Sequence, residues 1–230
     1  MQAEEGLGAY LVGRKGIGRV EDLRGKLLAG DPGDSNLDLV RMKIMREHGL
    51  MESDYLVEII GNTPERAKAF LAGKVDAAML TPPSSDRVLA AGGVLLASAE
   101  NYVPNWPLAC GWGLRSWVES HRELVVRFIR AWAASCDWLL RPENKEETID
   151  LLMSREGLNR ERAEHAYVRV VPKGAINPGA IRKNMELRIE LGVYPPPHHT
   201  AEYFYDTSYW CKATGLPAPR PAGRPLNAAA

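Results

Sequence analysis

Three short loops, each following an apolar stretch, carry the residues of this sequence best suited to bind a ligand. Their polar side chains are small: Asp34, Ser35 and Asn36 in the first loop, Asn62 and Thr63 in the second, and Thr81 in the third. Where such a loop opens a helix, the first backbone N–H groups lack partners within the helix and favour negative charge by about 0.3–1 kcal/mol. The pattern predicts a site for a small polar or anionic molecule, although Asp34, Ser35 or Thr63 could instead only cap its own helix.

The carboxylate of Asp34 narrows the class of ligand. A negative side chain at the start of a helix already occupies the favourable potential and repels a second negative charge. We therefore expect a neutral or zwitterionic ligand, or one with an amine that reaches Asp34, rather than a simple oxyanion.

The sequence lacks the common motifs of catalysis and metal binding. It contains no GxSxG, no GxxxxGK[ST], no HExxH and no GxGxxG that opens a helix after a strand. Its three cysteines are widely separated, which argues against a disulfide framework and a CxxC site. The adjacent His198 and His199 are not completed into a metal site by cysteine or acidic neighbours. We expect no catalytic residue, no metal and no cofactor.

Alternating strands and helices are predicted to position the three loops. The strands are expected at 27–31, 55–60, 75–80 and 94–98, and the helices between them at 37–48, 64–72 and 84–91. The second helix has three start signals, because Thr63 can cap it, Pro64 suits its first position and Glu65 adds negative charge to its first turn. Such alternation predicts parallel strands in a three-layer α/β unit, with the ligand crevice at the carboxyl ends of the strands.

The chain changes character after residue 101. A stretch rich in proline, glycine and aromatic residues, NYVPNWPLACGWGLR, precedes a mostly helical region. Its longest predicted helix, over 116–140, has an apolar stripe that must pack against something. Further helices are predicted near 143–155, 160–170, 177–192 and 200–215, before a tail with the composition of a disordered segment.

The charge balance argues against two classes of partner, nucleic acids and anionic membranes. The 230 residues include 29 basic and 29 acidic side chains, so net charge does not attract the chain to nucleic acid or to anionic membranes. No apolar stretch approaches the roughly 20 residues needed to span a bilayer. The first residues also lack the profile of a secretory signal, which indicates a cytoplasmic protein if the sequence is complete.

Several stretches resemble one family of transport proteins. They are EDLRGKLLAGD, PGDSNLDLVRMKIMREHGL, GNTPERAKAFLAGKVDAAMLTPP, NYVPNWP and YFYDTSYW. Together they are similar to the solute-binding proteins of ABC importers for nitrate, sulfonates, taurine and pyrimidine precursors, over roughly residues 9–215. The resemblance implies a type II periplasmic-binding fold, in which two α/β lobes joined by two crossing strands hold a ligand between them.

The resemblance also implies a domain organisation. Residues 16–106 would form a complete α/β lobe, here the second lobe. Residues 1–15 and 107–215 would supply the crossing strands, at AYLVGRK and PLACGWGLR, and a partial, mostly helical first lobe, and residues 216–230 a disordered tail. The loop from Tyr102 to Trp106 would lie beside the cleft, which makes Asn105 and Trp106 candidates for a stacking or packing wall.

The sequence departs from the family in the first lobe, because almost nothing precedes the AYLVGRK crossing. The long helix would then expose an apolar face, and strand edges would be left open. Three explanations are open: a truncated product, a homodimer in which another copy fills the gap, or a second chain that completes the lobe.

The expected function is capture of a small polar organic solute for an ABC permease, without chemistry and without nucleic acid. The expected contacts are Asp34, Ser35, Asn36, Asn62, Thr63, Thr81, Asn105 and Trp106, and the resemblance implies a periplasmic or extracellular location. The alternatives are an enzyme on the same scaffold, similar to aromatic-acid decarboxylases or to a pyrimidine-precursor synthase, a ligand-sensing domain of a regulator, and a fragment that binds nothing. For the enzyme, only Asp34 is a candidate acid or base.

Overall fold

A computed structural model describes residues 1–220 as two compact units. The α/β unit consists of Leu7–Pro104 and Glu186–Pro196, and the helical unit consists of Met1–Gly6, Asn105–Met185 and the residues from Pro197 onward. Residues 216–220 form no regular element, and the rest of the predicted disordered tail lies outside the described residues. The lobe boundaries implied by the resemblance remain a prediction.

Short strands alternate with helices in the first half of the chain. The strands are β1 (Gln2–Glu5), β2 (Tyr10–Gly13), β3 (Leu27–Gly30), β4 (Leu56–Ile59), β5 (Ala77–Leu80), β6 (Val94–Ser98) and β7 (Pro107–Cys110). The helices are α1 (Asn36–Glu47), α2 (Thr63–Leu71), α3 (Ser84–Ala90), α4 (Arg115–Ser120), α5 (Arg122–Leu139), α6 (Lys145–Glu156), α7 (Arg160–Tyr167), α8 (Pro178–Glu190) and α9 (Ser208–Thr214).

The α/β unit is built on a five-stranded sheet of order β4-β3-β5-β2-β6. Strand β3 is parallel to both β4 and β5, as the alternating pattern predicts. Strand β2 runs antiparallel to β5 and β6 and lies between them, so the sheet is mixed. The sequence did not reveal this insertion, because a four-residue strand is too short to show its partners through its periodicity. The parallel order nevertheless brings the ends of β3, β4 and β5 to one edge.

Helix α2 packs with strands β3 and β5 in the core of the α/β unit. Ala67 and Phe70 on α2 pack with Ala29 of β3, Ala78 of β5 and other buried apolar side chains. At Gly30 a side chain would meet its neighbouring strand, because an added Cβ would lie 2.3 Å from Cγ1 of Val57. Glycine is therefore required where β3 ends and the first loop begins.

The helical unit has only a small sheet among its described residues. Strands β1 and β7 form an antiparallel pair, and α5 packs against α9 through Val126, Ile129, Tyr209 and Trp210. The sequence did not predict β1. The single helix predicted over 116–140 is interrupted at His121, whose φ of −117° and ψ of 33° leave the helical range. The last predicted helix is likewise divided, into a 3₁₀ turn at Ala201–Phe204 and α9.

Several apolar side chains on α4 and α5 are exposed. Trp117, Leu124 and Phe128 are 47%, 52% and 54% exposed. Within residues 1–220, no helix is long and apolar enough to cross a membrane.

A pH effect on stability is expected from Glu21, near the start of the α/β unit. His48 bonds the Glu21 carboxylate at 2.9 Å and the Tyr102 hydroxyl at 2.7 Å. The bond to His48, with smaller contributions from backbone N–H and Arg19, lowers the pKa of Glu21 from 4.5 to about 2. A carboxylate with a lowered pKa stabilises the fold fully above pH 4.5, and this contribution is lost as pH falls toward 2.

We expect the difference in urea midpoint between wild type and Glu21→Gln to shrink over that interval. A difference that stays constant to the lowest pH would contradict the lowered pKa.

Candidate functional site

The carboxyl ends of β3, β4 and β5 are tied together by one buried arginine. Arg66 lies on α2 and is 1% exposed. Its guanidinium contacts the Asp31 carboxylate, which follows β3, at 3.1 Å, and donates to the Thr63 hydroxyl at 3.0 Å. The Thr63 hydroxyl in turn lies 3.5 Å from that of Thr81, which follows β5. We call Asp31, Thr63, Arg66 and Thr81 the strand-end site.

Backbone carbonyls also accept hydrogen bonds from Arg66. The guanidinium donates to the carbonyl oxygens of Gly61 at 2.5 Å, Met79 at 3.3 Å and Ile60 at 3.4 Å. An arginine has five N–H donors in a fixed planar arrangement, and here they are shared among the loop after β3, the loop after β4 and the Met79 carbonyl of strand β5. Arg66 therefore holds the loops in position and is too buried to present a free charge to a ligand.

The same bonds leave donors available at Thr63. Arginine can only donate, so the Thr63 oxygen accepts from Arg66 and keeps its own proton for another partner. Thr63 and Thr81 share one contact, which leaves at least one of their two O–H groups to donate elsewhere. The backbone N–H of Thr63, at the first position of α2, also makes no hydrogen bond within residues 1–220. These donors suit a ligand oxygen.

Two of the predicted residues cap helices. Asn62, not Thr63, is the N-cap of α2: its side chain accepts from the N–H of Glu65 at 3.1 Å, while the Glu65 carboxylate accepts from the Asn62 N–H at 3.0 Å. Ser35 caps α1 by accepting from the N–H of Asp38 at 3.1 Å. Because Asn62 takes the capping role, the Thr63 side chain is left for the strand-end site.

The remaining residues of the first loop are placed at the surface of the α/β unit. Asp34 is exposed, and its carbonyl oxygen accepts from Arg188 at 3.0 Å. Burial lowers the pKa of Arg188, and the negative charge of Asp34 opposes this shift. Asn36 is half-buried at the first position of α1, and its amide has no hydrogen-bond partner in the described part of the chain.

A second buried network, formed by Asp38, Arg41 and Tyr55, lies next to the first loop. The Asp38 carboxylate accepts two hydrogen bonds from Arg41, at 2.9 and 2.7 Å, and Arg41 also donates to the Tyr55 hydroxyl at 2.8 Å. Burial opposes the charge of Arg41, but the bonds and charge of Asp38 outweigh it and raise the pKa of Arg41. Because Asp38 lies one turn into α1, the network fixes the start of that helix.

Asn105 and Trp106 belong to the helical unit, whereas the other predicted site residues belong to the α/β unit. Asn105 has a positive φ of 60°, and Trp106 is 3% exposed with an indole N–H that has no partner among residues 1–220. Their contribution to ligand binding remains a prediction.

Sequence reasoning missed Asp31 and Arg66. Asp31 ends the predicted β3 strand, so its position beside the crevice was readable. Arg66 falls on the buried face of α2, between the predicted core positions, where an arginine without a partner would be costly. A charged residue on the buried face of a predicted helix was therefore the sequence signal that Arg66 has a partner in the fold. No cluster of metal-ligating side chains occurs within residues 1–220.

Comparisons with known proteins identify the fold. A family model described as the NMT1-like family matches residues 30–153. No curated protein matches the chain significantly. Among solved structures, the alkanesulfonate-binding protein SsuA of Xanthomonas axonopodis pv. citri, bound to MOPS, is 19% identical with a TM-score of 0.64, covering 87% of this chain and 71% of its own.

Two further structures show the range of proteins with this architecture. The periplasmic nitrate-binding protein NrtA of Synechocystis PCC 6803 is 11% identical with a TM-score of 0.70, covering 93% of this chain and 65% of its own. The desulfurization enzyme DSZB is 12% identical with a TM-score of 0.65, covering 94% and 78%. These similarities confirm the predicted type II periplasmic-binding fold.

Proposed function

Because the chain belongs to the NMT1-like family, we propose that it binds a small polar organic solute for import through an ABC permease. The observation that carries this proposal is the strand-end site, where Arg66 joins the loops after β3 and β4 to strand β5 and leaves the hydroxyl and N–H donors of Thr63 available. Binding needs such positioned donors and no reacting group.

Local charge favours a zwitterionic or neutral solute. The positive charge of Arg66 is paired with Asp31, and that of Arg188 lies against the first loop with its exposed Asp34 carboxylate. The edge thus offers no uncompensated positive charge to a simple oxyanion, while helix starts and hydroxyls still attract oxygen atoms. A solute with one acceptor end and one amine or other donor end satisfies both Thr63 and Asp34.

The relatives suggest the partner and the place of action. SsuA and NrtA are named for binding an alkanesulfonate and nitrate, and the latter is named as periplasmic. We place this chain in the same role, outside the cytoplasmic membrane and delivering solute to a permease. Ser35, Asn36, Asn62, Asn105 and Trp106 are the further proposed contacts. A second polypeptide, either another copy or a different chain, is proposed to cover the exposed side of α5.

An enzymatic function is the weaker candidate. DSZB shows that the architecture can carry catalysis, but the strand-end site contains no histidine or cysteine, and its acid Asp31 is paired with Arg66. We therefore assign no reaction to this chain.

Replacing Thr63 with valine is expected to weaken solute binding about tenfold or more, because valine has the same shape but no hydroxyl donor. Isothermal titration with MOPS, taurine and nitrate measures the effect, and native mass spectrometry of the purified chain identifies any retained solute. The two zwitterions are expected to bind more tightly than nitrate.

Thr63→Ser is the matched variant, since it keeps the hydroxyl and should retain affinity. Equal affinity of Thr63→Val and wild type would remove Thr63 from the site. Tighter binding of nitrate than of either zwitterion would contradict the proposed solute class.

A further inference from the structure

A cavity of about 690 Å³ opens on the helical unit, where α5 and α7 end. Ligand pockets in proteins usually measure about 300–1,000 Å³, so this size suits a small organic molecule. We call it the α5–α7 cavity, and its lining includes Asp137, Leu140, Arg141, Pro142, Tyr167 and Pro172. All of these residues belong to the helical unit, whereas the strand-end site belongs to the α/β unit.

Hydrogen bonds between chain segments hold the walls of the cavity in place. In the 3₁₀ turn after α5, the Asn144 amide donates to the carbonyl oxygen of Trp138 at 2.8 Å. In the turn after α7, the Lys173 ammonium contacts the Asp137 carboxylate, and the Lys173 carbonyl oxygen accepts from the Trp210 indole N–H at 2.9 Å. The cavity is therefore formed before a ligand enters, and binding does not have to order its walls.

Most of the lining is apolar, and one lining side chain is aromatic. Leu140, Pro142 and Pro172 provide apolar surface, and Tyr167 adds an aromatic ring. Two aromatic rings that pack edge-on or offset attract each other beyond the effect of the area that they bury. The lining therefore favours a ligand with an aromatic ring.

The charged groups of the lining leave one cation without a partner. Asp137 is paired with Lys173, so these two charges offset each other. The Arg141 guanidinium forms no ion pair and no hydrogen bond within residues 1–220. The Lys145 ammonium lies 5.9 Å from the centre of the Tyr167 ring and adds positive charge nearby. An anionic group on the ligand would satisfy Arg141.

The ends of α5 and α7 bring carbonyl groups near the cavity, and free carbonyls would repel an anion. The last carbonyl of each helix is already hydrogen-bonded. Leu139 O of α5 accepts from the Thr148 hydroxyl at 3.2 Å, and Tyr167 O of α7 accepts from the Val170 N–H at 3.2 Å. These bonds reduce the negative potential of the helix ends, and a direct charged hydrogen bond from a guanidinium is stronger than what remains.

We propose that the α5–α7 cavity binds a small aromatic carboxylate, with the carboxylate on Arg141 and the ring against Tyr167. The planar guanidinium can donate two parallel hydrogen bonds to one carboxylate, which fixes the direction of the ligand as well as its position. This second site goes beyond the proposed function and does not depend on it.

Titration of the full chain with benzoate, followed through the NMR signals of the ligand, tests the site. Wild type should bind benzoate saturably, and Arg141→Gln should weaken binding about tenfold or more, because glutamine lacks the charge and the paired donors. Arg155→Gln is the matched control, since Arg155 is exposed on α6 and does not line the cavity. Absence of saturable binding to wild type, or equal affinity of Arg141→Gln and wild type, overturns the proposal.

Two analogues of benzoate test the class of ligand. Benzamide keeps the ring without the charge and should bind about tenfold more weakly, whereas cyclohexanecarboxylate keeps the charge without the aromatic ring and should bind about threefold more weakly. Tyr167→Leu should remove the preference for benzoate over cyclohexanecarboxylate. Benzamide that binds as tightly as benzoate overturns the assignment of an anion to Arg141.

Thr63→Val separates this inference from the proposed function. The substitution is expected to weaken solute binding in the α/β unit and to leave the affinity for benzoate unchanged. Benzoate binding that is lost in Thr63→Val but kept in Arg141→Gln would place benzoate at the strand-end site and overturn the second site. Benzoate binding through Arg141 in a chain that binds neither MOPS, taurine nor nitrate contradicts only the proposed function.

Discussion

Replacing Arg66 with methionine is expected to lower the free energy of unfolding by about 3–5 kcal/mol, the range for removal of one partner from a buried ion pair. Methionine fills a similar space but donates nothing, so the carbonyl groups of Gly61, Ile60 and Met79 and the Thr63 hydroxyl lose a donor. Urea denaturation followed by circular dichroism measures the loss. Solute affinity should fall as well, because the loops after β3 and β4 and strand β5 lose their common partner.

Two variants of the same helix make this test specific. Lys68→Met removes an exposed cation from α2 and should change stability by less than about 0.5 kcal/mol. Arg66→Lys keeps the charge but not the planar set of donors, so its stability should lie between those of wild type and Arg66→Met. Unchanged stability of Arg66→Met would show that the strand-end site does not depend on this arginine.

Replacing Arg41 with methionine is expected to have an effect of the same size, about 3–5 kcal/mol. Asp38 and Arg41 each have side chains no more than 5% exposed, so the variant leaves a carboxylate buried without its cation. The Tyr55 hydroxyl loses its partner too. The measurement is again the urea midpoint, with Lys43→Met as the control because Lys43 pairs with an exposed Glu47 at the surface of α1.

A double variant separates the penalty of an unpaired charge from the value of the pair. Asp38→Leu combined with Arg41→Met removes both charges, and it should recover much of the stability that Arg41→Met loses. A double variant less stable than the single one would mean that Asp38 acts mainly through its position at the start of α1.

The sequence predicted those elements of the α/β unit that carry local signals. Strand β3 and helix α2 were recognised because an apolar run and a set of cap residues depend only on neighbours in sequence. The insertion of β2 between β5 and β6 depends on which strands pair, and four residues of YLVG do not carry that information. Similarly, the break at His121 is invisible in an apolar pattern that continues across it.

The candidate site was predictable in its location but not in its organisation. The loops after β3, β4 and β5 were expected to meet, and the contact between Thr63 and Thr81 shows that two of them do. Which residue caps α2 depended on a single position, and the competition between Asn62 and Thr63 could not be decided from composition. The role of Arg66 depends on two loops and strand β5 at once, which no local pattern contains.

The attachment of Arg66 to two loops and strand β5 has a kinetic consequence. Asp31, Thr63 and the carbonyls of Gly61 and Met79 bond Arg66 within the described chain, so these segments are held without help from a solute and little ordering remains to be done on binding. For a preorganised site, association rates vary little from one solute to another, and differences in affinity arise mainly in how long each solute stays bound. Residence time would then decide which solutes are carried and how readily they are handed over.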